Sequence, residues 1–237
     1  MITKETTDLS HCDFHSGEVL LIDKPIGWTS FKVVHVVRKL TGAKKVGHAG
    51  TLDPRATGLL ILCTGKKTKE ITKYQDGEKT YAGTITLGKS TPSMDLETEV
   101  IEEKSIEEVT EEKILEMKET FTGDILQTPP MYSALKVDGK TLYNLARKGK
   151  IVERQPRKVT VSKFVISNIE LPEIYFEISC SKGTYIRVIA NDLGEKLGCG
   201  GVLSSLRRTK IGAFSVDQSL KMEEFEEKIA QSSLKTS

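Results

Sequence analysis

The stretch T57-G-L-L-I-L-C-T-G65 constrains the fold most. Its apolar centre, Leu59 to Cys63, is the longest unbroken apolar run in the chain and is far too short to span a bilayer. Bounded by glycines, it reads as a buried strand, and a buried strand needs other elements packed over it. Candidates for those elements lie on both sides. E18-V-L-L-I-D reads as a strand running into the turn K24-P25-I-G27-W, after which Ser30 is expected to cap a helix through Leu40 that Gly42 ends. Y81-A-G-T-I-T-L-G88, R157-K-V-T-V-S-K-F-V-I and I174-Y-F-E-I-S-C read as further strands. Helices are expected over Glu111 to Phe121, with Thr110 as N-cap, over Tyr185 to Leu197, and over Met222 to Ile229. The pattern is mixed α+β.

No linker, repeat or low-complexity tract divides the chain, so 237 residues are expected to hold one domain. The expected organisation is a loose tail over residues 1–16, a catalytic domain over 17–216, and a short C-terminal helix and tail over 217–237. The N-terminus lacks the apolar stretch and cleavage pattern of a signal peptide, so a soluble, cytoplasmic protein is expected, with no membrane partner. Cys12, Cys63, Cys180 and Cys199 are far apart and form no C-x-x-C, which argues for reduced thiols rather than disulfides or zinc ligands. The net charge of +2 conceals a pattern: residues 1–92 carry +5, 93–124 carry −9, 125–215 carry +8 and 216–237 carry −2. Two basic blocks around an acidic insert fit a polyanion partner, and equally a solvated surface of uneven charge.

Nucleotide and metal motifs fail on spacing. G65-K66-K67-T68 would need glycine at Leu60 and a hydroxyl at Lys67 to be a P-loop, and G198-C-G-G-V-L has Leu203 where a dinucleotide loop has its last glycine. His11, His15, His35 and His48 have no metal-ligand spacing, and no G-x-S-x-G elbow is present. The distinctive carboxylate is Asp53. Pro54 pushes its backbone to an extended form, and Gly50 and Gly58 permit sharp turns on either side. Ionised at neutral pH, it can act as nucleophile or base without a metal or other cofactor.

The surrounding stretch, G47-H-A-G-T-L-D-P-R-A-T-G58, resembles the catalytic loop of the TruB family of tRNA pseudouridine synthases. D23-K-P-I-G-W-T-S30, K79-T-Y-A-G-T-I-T-L-G88, Q127-T-P-P-M-Y-S-A-L-K136, G139-K-T-L-Y-N-L-A-R-K-G149, S181-K-G-T-Y-I-R187 and L206-R-R-T-K-I-G212 resemble that family's blocks, in its order, from about Gly17 to Phe214. The resemblance implies a pseudouridine synthase catalytic fold: a largely antiparallel sheet with flanking helices. It also implies isomerisation of a uridine in the tRNA T-loop, at the position conventionally numbered 55, after the nucleotide is flipped out.

The resemblance assigns roles residue by residue. Asp53 is the nucleophile or base, Tyr81 stacks on the target base, Tyr185 lines the pocket, and Arg187 pairs with Asp53. Leu206 is an apolar wall, and His48 fills the space the base vacates. Lys24 and Pro25 shape the floor of the loop, while Lys44, Lys45, Arg147, Lys148, Arg207 and Arg208 are candidates for phosphate contacts. The expected partner is the T-arm of tRNA, bound by a monomer with no metal and no cofactor. About twenty residues follow Phe214, so the PUA domain of many family members is not expected here. The rival reading is a non-catalytic tRNA-binding or folding module on the same fold, which would have no need of Asp53.

Overall fold

The computed structural model describes residues 1–235; Thr236 and Ser237, the end of the expected C-terminal tail, lie outside the described residues. The chain forms two compact units, one of Met1–Tyr81 with the segment from Leu206 onward, the other of Ala82–Ser205. The first unit opens with β1 (Val19–Lys24), α1 (Ser30–Thr41), β2 (Val46–His48), β3 (Thr57–Thr64) and α2 (Ile71–Gln75). β4 (Lys79–Leu87) starts there and runs into the second unit. That unit continues with β5 (Lys89–Ser90), β6 (Glu102–Glu103), α3 (Glu111–Glu119), β7 (Gly123–Gln127), β8 (Lys136–Val137), β9 (Lys140–Thr141), α4 (Leu142–Ala146), β10 (Arg157–Glu170), β11 (Glu173–Cys180) and α5 (Ile186–Lys196). β12 (Gly201–Ile211) returns to the first unit, which closes with β13 (Phe214–Ser215), β14 (Leu220–Lys221) and α6 (Met222–Lys235).

In the first unit the strand order is β14-β1-β3-β12-β4, with β2 on β3 and β13 on β12; in the second it is β12-β4-β11-β10-β7. β1 pairs with β14 and β12 with β3 in parallel, whereas β1/β3, β2/β3, β10/β11, β10/β7 and β12/β13 are antiparallel. The fold is mixed α and β with a largely antiparallel sheet, as the sequence pattern and the family resemblance together imply.

The glycine-bounded run is β3, and its unbroken apolar character has a direct cause. Leu60 and Leu62, with Leu20 and Ile22 of the antiparallel β1, pack among Val33 and Val37 of α1 and Phe225 of α6. The alternate residues Leu59, Ile61 and Cys63 pack on the opposite face with Val19, Leu21, Tyr74 and Ile211. Both faces are covered, so period-two alternation has nothing to preserve.

Three sequence expectations shift. Residues 1–16 do not form a loose tail: Ile2 bridges to Leu20, its N–H donates to the Val19 carbonyl at 2.7 Å, and Leu9 and Phe14 are buried, Phe14 edge-on to Phe225. α1 is capped by Thr29, whose hydroxyl accepts from Lys32 N at 3.0 Å, while Ser30 turns inward. α6 extends beyond Ile229 to Lys235. By contrast, Thr110 caps α3, accepting from Lys113 N, and Gly42 ends α1 at φ 66°, both as expected. Gly200 and Gly201 serve close packing: a Cβ on Gly194 of α5 would overlap the backbone of both.

Candidate active site

Asp53 sits at the tip of the loop joining β2 to β3. The two strands pair Val46 with Thr64 and His48 with Leu62, and Ala49 N donates to the Ile61 carbonyl at 2.9 Å. The chain then leaves the sheet, closes a turn through Ala56 N to the Asp53 carbonyl at 3.0 Å, and rejoins it at Thr57. Loops are ordinarily the mobile part of a domain. Three separate elements hold this one.

The turn after β1 supplies the first hold. Gly27 N donates to the Pro54 carbonyl at 2.8 Å, next to Asp53. The Lys24 ammonium, fully buried, donates to the carbonyls of Trp28 at 2.6 Å, Pro25 at 3.0 Å and Pro54 at 3.4 Å. α1 supplies the second: Ser30 Oγ donates to the Leu52 carbonyl at 3.1 Å and accepts from Leu52 N at 2.9 Å. β12 supplies the third. Arg208, 1% exposed, donates from Nη2 to the Gly50 carbonyl at 3.1 Å and from Nε to the Leu59 carbonyl at 2.8 Å. Arg208 thus grips the loop before Asp53 and the strand after it, and corrects its expected place among surface phosphate contacts. Gly58 is required by the same approach: at φ 101°, a Cβ there would sit 2.8 Å from the Arg208 nitrogen and closer still to its carbonyl oxygen.

Several charged or titratable side chains share this neighbourhood. Burial pushes the Lys24 ammonium down to about 8; the Asp53 and Asp23 carboxylates oppose that shift, and Arg208 adds to it. His48 is half-buried, its pKa lowered by burial first and by Arg208 second, which keeps the ring neutral near pH 7. Its Nδ1 is buried with no hydrogen-bond partner among the described residues. These features suit a spacer better than a proton shuttle. Arg207, by contrast, is partly exposed and forks onto Asp23 at 2.6 and 3.0 Å. Leu206 lies half-buried beside it on β12, and Tyr81 is buried on β4.

Lys24 yields a test with a definite sign. Unfolded, the side chain titrates near 10.5; folded, near 8. Between those values the unfolded chain holds a proton the folded chain has released, so the cost of burying this charge is full below about pH 8 and is relieved as pH rises toward 10.5. Unfolding titrations of the wild type and Lys24→Met are expected to diverge across that window, with the wild type gaining relative stability as pH increases.

In the second unit, Tyr185 and Arg187 are brought together at the start of α5. The Gln127 side chain, buried on β7, accepts from Tyr185 N at 2.7 Å and donates to the Tyr185 carbonyl at 3.0 Å. The Arg187 and Arg157 guanidinium carbons lie 5.5 and 5.2 Å from the centre of the Tyr185 ring. Arg187, 3% exposed, donates to the Tyr132 carbonyl at 2.6 Å and pairs with Asp95 at 3.4 Å. Ser30, Arg208, Asp95 and Gln127 each contact a candidate residue or the loop that carries one, which the sequence did not indicate. Gln127 opens one of the quoted blocks and Ser30 and Arg208 lie within others, whereas Asp95 lies in none of them. Lys44, Lys45, Arg147 and Lys148 are exposed. Among the described residues, no group of three or more His, Cys, Asp or Glu could hold a metal ion, and no helix is long and apolar enough to cross a membrane.

Comparison with known proteins places this fold and loop in a class. The pattern described as TruB family pseudouridylate synthase (N terminal domain) matches residues 38–186, and that of the tRNA pseudouridylate synthase B C-terminal domain matches residues 187–236. The tRNA pseudouridine synthase B of Bacteroides fragilis is 47% identical over 231 residues, covering 95% of this chain and 99% of that protein. Its counterpart in Chloroherpeton thalassium is 51% identical over 229 residues, covering 94% and 95%. Among solved structures, a chain of a Cbf5-Nop10-Gar1 complex superposes with a TM-score of 0.72 at 28% identity over 92% of this chain. This chain spans 56% of that one. The class is the pseudouridylate synthases. Within it, the chain belongs to the TruB family.

Proposed function

We propose that this protein isomerises uridine to pseudouridine in tRNA, acting on the T-loop uridine at the position conventionally numbered 55. The bond between N1 and the ribose C1′ breaks, the uracil turns, and C5 bonds to C1′; the C5 proton is lost and N1 gains one, so no redox partner is required. The observation that carries this reading is the Asp53 loop: one carboxylate, partly exposed, on a turn held by β1, α1 and β12. Clamping of that kind aims a nucleophile or base with little reorganisation. A binding module needs no such carboxylate.

The remaining residues take the roles their family counterparts suggest. Tyr81 stacks on the flipped uracil, Leu206 gives an apolar wall, Tyr185 lines the pocket, and His48 takes the space left in the RNA. The T-loop is recognised through its shape, since single-stranded loops expose bases that helical RNA hides. Incubating the purified protein with an unmodified tRNA transcript in EDTA, followed by site-resolved detection of pseudouridine, tests the proposal. Product at the T-loop uridine is expected. Tight binding with no product would favour the tRNA-binding module instead.

A further inference from the structure

The outer face of α1 carries a feature that the catalytic reading does not use. Ser30, Val33 and Val37 are buried, and the first unit packs on that side of the helix. On the other side Phe31 is 73% exposed, and Ile26, in the preceding turn, is 67% exposed. Lys32, His35, Arg38 and Lys39 are also exposed, and α1 contains no acidic residue. Positions 31, 35 and 38 to 39 fall on one helical stripe. Cations alone would be an ordinary solvated face; here they follow a largely exposed aromatic ring on the same stripe.

Phe31 is also held in place. Its backbone neighbours are fixed by the Thr29 cap and by the reciprocal Ser30–Leu52 hydrogen bonds, and its ring meets the His48 ring edge-on, with centroids 5.7 Å apart at 89°. Leu52 and His48 belong to the Asp53 loop or the strand entering it. The Asp53 loop is therefore flanked by an aromatic ring that heads a cationic stripe, the combination that takes a base on its face and phosphates beside it.

We propose that the outer face of α1 docks the tRNA substrate, with Phe31 stacking on an unpaired base of its loop and His35, Arg38 and Lys39 facing its phosphates. The proposal deepens the functional reading above, resting on it for the choice of tRNA as the occupant. Affinity for an unmodified tRNA transcript, measured in an Asp53→Asn background, separates the two. Phe31→Ala should weaken binding about tenfold with an unchanged salt dependence, and Phe31→Trp should restore it. Arg38→Gln with Lys39→Gln should weaken binding and flatten the plot of log affinity against log salt by about one to two. With Asp53 intact, Phe31→Ala should raise KM while leaving kcat within about twofold. Affinity and KM unchanged by Phe31→Ala, or equal losses in Phe31→Ala and Phe31→Trp, would overturn it. If the parent protein bound tRNA with these sensitivities yet formed no pseudouridine, the catalytic reading would fail and the docking surface would stand.

Discussion

Replacing Asp53 by asparagine is expected to lower turnover by at least about four orders of magnitude, the scale seen when a nucleophile or its base is removed, while leaving tRNA affinity within about threefold. The argument for separating the two effects is structural. The loop is held through backbone groups on either side of Asp53, by way of Gly50, Leu52 and Pro54, and none of those hydrogen bonds uses the carboxylate. Asparagine keeps the shape and the extended backbone that Pro54 favours, so the loop should remain where it is. What changes is the charge. Removing it also takes away the main influence opposing the burial-driven fall in the Lys24 pKa, which should drop further. Single-turnover assays with site-resolved product detection, set beside tRNA binding and thermal unfolding of the same variant, check all three points. Turnover within tenfold of the wild type would remove Asp53 from the chemistry.

The sequence made some of this visible and hid the rest for identifiable reasons. β3 announced itself because both of its faces are buried, and α3 because Thr110 and its first-turn glutamates are local signals. Local signals failed wherever a distant partner decided the outcome. Thr29 and Ser30 are equally good caps by type; Leu52, more than twenty residues away, claims Ser30 and leaves the cap to Thr29. Residues 1–16 read as tail because their apolar members are sparse, yet Ile2 pairs with β1 and Phe14 finds Phe225 across the length of the chain. G198-C-G-G-V-L failed as a dinucleotide loop on spacing, and its Gly200 and Gly201, with Gly194, instead allow a helix and a strand to approach closely. Of the site, Asp53 and its flanking glycines were legible as a turn, but the groups that brace it were not, because bracing is a matter of register. R207-R208 shows this most clearly: two identical side chains are separated only by the alternation of β12, which leaves Arg207 partly in solvent and drives Arg208 inward.

That alternation makes the pair an internal control. Arg208→Met is expected to cost about 2–4 kcal/mol of folding stability, because the carbonyls of Gly50 and Leu59 would each lose a charge-assisted donor inside the protein. The figure is held down by a compensation: Arg208 lies close enough to disfavour the charged forms of Lys24 and His48, and its removal relieves both. The pKa values of those two groups should therefore rise in the variant, which an NMR titration of His48 can follow. Arg207→Met removes a partly exposed pair with Asp23 and should cost about 1 kcal/mol or less. Turnover should separate the variants further, since freeing the Gly50 end of the loop lets Asp53 drift from its aim, and a displacement of about 1 Å is worth about a hundredfold in rate. Urea unfolding and single-turnover rates of the two variants give the comparison. Equal stability and equal rates would mean that the Asp53 loop is held by Ser30, Gly27 and Lys24 alone, with the buried guanidinium a passenger.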